Sequence, residues 1–215
     1  MATRRLPTLL VLAGAVIAVL MVVMAGTVPE EADAAGRFKK VIKSFKNPTP
    51  LRVPGPGFDS GPAEPYPSTI RASGFRKGKV RDVNLILYGF THNRPDDVDI
   101  VLVHRGVNRV VLSDVGGDSD VADINLILDD EAGPVLPDEG VLSTNAWKPA
   151  NYGEISDPFP SPGPGRPNPG SALSGFDGMN PNRGWQLFAF DDNGNDITGM
   201  FADGWLIQIT ARVRR

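Results

Sequence analysis

The chain contains no cysteine. Disulfides, thiolate-bound zinc, iron–sulfur clusters and thiol catalysis are therefore excluded, and a folded form must be held by packing or by bound ions. Histidine is nearly as scarce, with only His92 and His104 in 215 residues. Charge of one sign is not in excess either. The formal net charge is -3, and setting aside residues 1–34, which hold Arg4 and Arg5 against Glu30, Glu31 and Asp33, leaves 20 basic and 22 acidic residues. That balance offers no electrostatic footprint for nucleic acid.

Catalytic constellations are also thin. A serine hydrolase needs a nucleophile, a histidine base and an orienting acid within reach of one another, and no serine stands in a Gly-x-Ser-x-Gly elbow. Both histidines fall at the ends of apolar runs beside turn residues, where a structural role is expected. Paired carboxylates occur at Asp96-Asp97, Asp129-Asp130 and Asp191-Asp192. Adjacent acids on a strand point to opposite faces, and acids in loops cap turns, so neither supplies the facing pair of a glycosidase. The expectation is a non-catalytic protein.

What is present is the profile of one globular domain, with 41% hydrophobic and 22% charged residues. Residues 1–34 read as a secretory signal: Arg4-Arg5, an apolar run to Ala25, then Ala32-Asp33-Ala34 as a small-x-small cleavage site. The competing reading is an uncleaved membrane anchor, because the run from Leu9 approaches the roughly 20 residues that cross a bilayer. Either places the folded part outside the cytoplasm, secreted or at the cell surface.

In 37–46, Phe38, Val41, Ile42 and Phe45 fall at i, i+3, i+4 and i+7 among lysines, the pattern of a short basic amphipathic helix. Such a helix can lie on an anionic membrane, but this length is marginal alone, so a solvated or docked arm is expected. Residues 47–67 carry seven of the 20 prolines and read as a linker, which completes an arm-and-linker segment over 35–67. From 68 to 215 short Val, Ile, Leu and aromatic runs alternate with Gly, Asn and Asp, the spacing of an all-β antiparallel sandwich.

Strands are expected over 69–73, 79–90, 98–104, 109–113, 122–128, 185–190 and 205–213. Two of them nearly repeat, Val-Arg-Asp-Val-Asn-Leu-Ile-Leu from Val80 and Val-Ala-Asp-Ile-Asn-Leu-Ile-Leu from Val121. The plain explanation is two strands at similar positions in the two sheets. Gly184-Trp185 and Gly204-Trp205 form a second echo, and both tryptophans are expected in the core. The proline-rich run 157–169 is expected as a long surface loop that could carry function.

The order of these motifs resembles the P domain of proprotein convertases. The resemblance rests on the run from Val80 through Tyr88-Gly89-Phe90-Thr91-His92 to Val103, on Val111-Leu112-Ser113-Asp114-Val115-Gly116-Gly117, and on Gly184-Trp185-Gln186-Leu187 with Gly204-Trp205-Leu206-Ile207. It covers about residues 68 to 213. It implies a jelly-roll-type, galactose-binding-like sandwich and an accessory role beside a subtilisin-like protease. No protease domain precedes it here, so the expected partner is a separate protein or a cell-surface component, a protease acted on in trans among them. A carbohydrate-binding module is the alternative, with Trp147 and Tyr152 as candidate sugar-facing residues.

The acids point more to calcium than to catalysis. Hard cations take several oxygen ligands, and loops rich in Asp and carbonyls supply them. Two clusters are candidates: Asp96, Asp97 and Asp99 before the third strand, and Asp114, Asp118 and Asp120 with Asp123 around Gly116-Gly117. The run 191–196 superficially suggests an EF-hand. Its glycine is misplaced and Ala202 stands where the bidentate Glu belongs, so an Asn-Gly hairpin turn is the better reading.

Overall fold

A computed structural model describes residues 37–153, 157–194 and 199–215. The expected signal segment lies outside these residues, as does the second half of the expected Asn-Gly turn. Residues 35–215 form one compact unit.

Strands follow in the order β1 (Phe38–Asn47), β2 (Leu51–Val53), β3 (Gly61–Pro62), β4 (Ser68–Ala72), β5 (Lys79–His92), β6 (Val98–His104) and β7 (Val107–Ser113). Then come β8 (Val121–Leu128), β9 (Asn145–Trp147), β10 (Ala150–Asn151), β11 (Arg183–Asp191), β12 (Gly199–Phe201) and β13 (Trp205–Arg214). Two sheets pack face to face. One runs β1-β13-β5-β12-β2, with β8 paired to β5 and β9 to β8, and the other runs β10-β7-β6-β11-β3, with β4 beside β11. All seven expected strands are present, and the all-β sandwich holds. Pairing is not wholly antiparallel, because the short β9 and β10 run parallel to β8 and β7.

Alternation explains which face of each strand is inside. On β5 Val83, Leu85 and Leu87 are buried, and on β13 Trp205, Ile207, Ile209 and Ala211 are fully buried while Leu206, Gln208 and Arg212 are not. Trp185 and Trp205 both lie in the core with their indole N–H groups satisfied, one by Pro181 O and the other by Ser68 Oγ. The proline-rich run 157–169 sends Phe159 onto the outer face of the second sheet, where it packs with Val101, Val110 and Phe188. The rest of that run is mostly exposed, as a surface loop should be.

Three expectations are corrected. The segment 37–46 is a strand rather than a helix: β1 pairs with β13 in unbroken register from Phe38↔Arg214 to Asn47↔Trp205. A spacing of four residues satisfies both a helical period and a period of two. On the strand Val41 and Phe45 turn inward while Phe38 and Ile42 stay outward.

The segment 47–67 is not a linker. Leu51 and Val53 are fully buried, β2 joins β12 in one sheet, and β3 joins β11 in the other. The prolines are spaced so that Arg52, Gly55, Ala63 and Glu64 still donate backbone hydrogen bonds, Ala63 to Ala189 O at 2.9 Å. The segment thus ties the two sheets together.

The repeated strands do not occupy matching places in opposite sheets. They are neighbours in one sheet, paired antiparallel as Leu85↔Leu128, Ile86↔Ile127 and Leu87↔Leu126.

Candidate metal centre

β6 begins where its antiparallel neighbour β7 ends, at one end of the second sheet, and β10 brings the later chain back beside Leu112 and Ser113. Asp99 sits on β6, paired with Phe190 of β11, and is only 2% exposed. Asp114 follows β7 in the left-handed region at φ 52°, with its Oδ2 accepting a 2.9 Å hydrogen bond from the Ser113 hydroxyl. Asp157 enters from the proline-rich loop. Carboxylate oxygens of Asp99, Asp114 and Asp157 lie within 4.8 Å of one another.

That spacing fits a shared calcium ion, since two oxygens on opposite sides of Ca²⁺ are separated by about 5 Å at ordinary bond lengths. Asp99 adds a second indication. Its Oδ2 is buried and has no hydrogen-bond partner among the described residues. A buried, unpartnered carboxylate oxygen is costly unless something satisfies it.

The electrostatics agree with the geometry. Burial pushes the Asp99 carboxyl well above the usual carboxylate range; the nearby Ser113 hydroxyl opposes this and the charges of Asp157, Asp192 and Asp114 add to it. Asp192, half-buried beside the group, is raised to about 6 by burial and by Asp157, Asp114 and Asp191. Asp114 is raised by burial and then by Asp157 and Asp138. An uncompensated concentration of negative charge is what a cation relieves.

The sequence-derived clusters are divided and recombined. Asp99 from the first and Asp114 from the second meet in one place. Asp96 lies at the rim, raised by burial and by Asp114, Glu139, Asp138 and Asp118. Asp97 is buried at the end of a 3-10 turn, with Arg94 Nε 3.8 Å from its Oδ2 and Asn193 donating to its Oδ1 at 3.4 Å. Asp118 is exposed and takes the Arg94 guanidinium at 2.7 Å, and Asp120 and Asp123 are exposed. Asp157 was outside both clusters; its signal was its place at the start of the loop marked for possible function.

Both histidines are fully engaged. His92 Nδ1 accepts from Arg94 N at 3.1 Å, so Nε2 carries the proton and faces Asp191 Oδ2 at 3.3 Å. His104 is stacked on Trp185 with centroids 3.9 Å apart, and its ring nitrogens face Gly184 O and Asn180 O. Of the candidate sugar-facing aromatics, Trp147 Nε1 donates to Ser143 O and the Tyr152 hydroxyl to Leu136 O. Compared with known proteins, the chain matches no family model, no curated protein and no solved structure.

Proposed function

We propose that this chain is an exported, non-catalytic module, similar to the convertase P domain in the order of its motifs, whose loop end binds calcium through Asp99, Asp114 and Asp157. The observation that carries the metal reading is the buried Asp99 Oδ2, unpartnered among the described residues and within reach of two further carboxylates. The ion would join β6, the turn after β7 and the proline-rich loop. It would brace the loops through which the module meets a separate protein or cell-surface partner, with a protease in trans as one such partner.

Isothermal titration of chelator-treated protein with calcium tests this. The expected result is saturable binding that Asp99→Asn abolishes and Asp118→Asn leaves intact, because Asp118 is spent on Arg94. Binding that survives Asp99→Asn, or no binding at millimolar calcium, rejects the site. Co-purification from culture medium in calcium and in EDTA then tests the module reading, with a partner retained only in calcium as the supporting outcome.

A further inference from the structure

The acidic loop end has a counterpart of opposite sign. β1 contains Lys39, Lys40, Lys43 and Lys46, its neighbour β13 contains Arg212 and Arg214, and neither strand contains an acid. Arg37 and Arg215 extend the same edge, held together by the Arg215 N to Arg37 O hydrogen bond at 2.9 Å.

The outward row of β1 is Phe38, Lys40, Ile42, Ser44 and Lys46, and the register sets it beside Arg214, Arg212, Thr210, Gln208 and Leu206. Within this row Phe38 is 36% and Ile42 52% exposed, with Lys40 between them and the Arg212 guanidinium 4.2 Å from the Phe38 ring centroid.

Lysines on an edge strand commonly only prevent aggregation. That role does not account for an exposed phenylalanine and isoleucine set between cations on two adjacent strands. A second copy of this chain is a poor occupant, since pairing two β1 edges would bring together two strands that each hold four lysines and no acid. An aromatic and an aliphatic side chain set among the cations of two strands that contain no acid match the boundary of an anionic bilayer, where apolar groups enter the headgroup region and cations meet phosphates; the row meets an acid one strand further in, at half-buried Asp82 opposite Thr210.

We propose that the β1–β13 face docks on anionic lipid, with Phe38 and Ile42 entering the headgroup region and Lys40, Lys46, Arg212 and Arg214 pairing with phosphates. The docking needs no calcium and stands apart from the metal centre.

Residues 35–215, a compact unit without the apolar N-terminal run, should be co-sedimented in EDTA with vesicles of phosphatidylcholine alone or mixed with phosphatidylglycerol. EDTA removes any calcium bridge between the acidic end and lipid. Binding is expected only to the mixed vesicles, and the double variant Lys40→Glu, Arg212→Glu should weaken it at least about tenfold, since each lost basic contact costs on the order of 1 kcal/mol. Ile42→Ser should remove the fraction that survives high salt. Unchanged melting of both variants keeps loss of binding separate from loss of fold.

Equal binding to neutral vesicles, or no effect of the double variant, overturns the proposal. So does a dimer in sedimentation velocity that Ile42→Ser dissolves, which would assign the face to a second copy. Displacement by polyglutamate together with an inert Ile42→Ser would assign it to an acidic polypeptide and likewise reject lipid.

Discussion

Asp99 and Asp114 hold carboxylate oxygens within 4.8 Å of one another, although one is buried in a central strand and the other stands past the end of its neighbour. Without a cation this arrangement works against folding. Because the folded-state pKa of Asp99 lies well above its ordinary value, the ionised form is penalised in the folded protein, and the penalty is relieved as pH falls. In EDTA, acidification should favour the folded protein as pH falls through the raised carboxyl values, about 6 for Asp192, and Asp99→Asn should diminish that trend. Over the same interval His104, lowered by burial, works in the opposite direction, costing stability as pH falls below the ordinary histidine value. In calcium the trend should reverse, because protons compete with the ion for the same oxygens. Melts across pH in both buffers check this; parallel curves would contradict it.

Calcium at a hundredfold its dissociation constant should stabilise the native state by about 2.7 kcal/mol. For a domain of this size that corresponds to a rise in Tm of roughly 5–10 °C. Asp99→Asn should raise the Tm in EDTA and erase the calcium-dependent increment. Differential scanning fluorimetry of the two proteins, with and without calcium, is the measurement.

Gly153 has φ +80°, and a Cβ placed on it would sit 2.9 Å from Asp114 Oδ2. Gly153→Ala should therefore displace the Asp114 carboxylate and weaken calcium binding, at a backbone cost of about 1–2 kcal/mol. Titration calorimetry should show the lower affinity, whereas the same substitution at Gly133, with open space around it, should leave affinity unchanged.

The segment before residue 68 belongs to the core. Leu51→Ala should cost about 2–5 kcal/mol by urea unfolding, since the side chain is fully buried. A fragment beginning at residue 68 should be aggregated or unfolded, lacking β1, β2 and β3 and exposing the edge of β13. Circular dichroism and gel filtration of that fragment against 35–215 decide it.

Ser68 accepts two hydrogen bonds in a buried position, from Trp205 Nε1 at 2.8 Å and Asn47 Nδ2 at 3.0 Å. Ser68→Ala leaves both donors without that acceptor and should cost about 1–3 kcal/mol in chemical unfolding, against a negligible change for exposed Thr69→Ala.

How much could be read in the sequence depended on strand length and on distance along the chain. β5, β11 and β13 announce themselves because nine or more residues let a period of two accumulate. β2 and β3 have three and two residues and lie among prolines, so tertiary pairing alone makes them strands. β1 suggests a helix in sequence because its apolar spacing of four fits two periods, and the ten-residue ladder with β13 decides between them. At the metal centre Asp99 and Asp114 were both singled out, yet each was grouped with its sequence neighbours. Local clustering cannot show that β6 and β7 bring one acid from each group together, nor that a proline-rich loop supplies Asp157.

The pairing of β5 with β8 bears on the fidelity of folding. Each strand carries Asn-Leu-Ile-Leu, and their antiparallel ladder is centred on Ile86 opposite Ile127. A segment that matches its neighbour in this way also matches itself, so β5 of one chain offers β5 or β8 of another nearly the same ladder during synthesis or refolding. What distinguishes the correct pair lies on β5 beyond the repeat, at Gly89 and Thr91: Asn125 Oδ1 accepts Gly89 N at 2.9 Å and Thr91 Oγ1 accepts Asp123 N at 3.0 Å. These two polar contacts favour the native pair over exchange between chains, a choice that the apolar ladder by itself does not make.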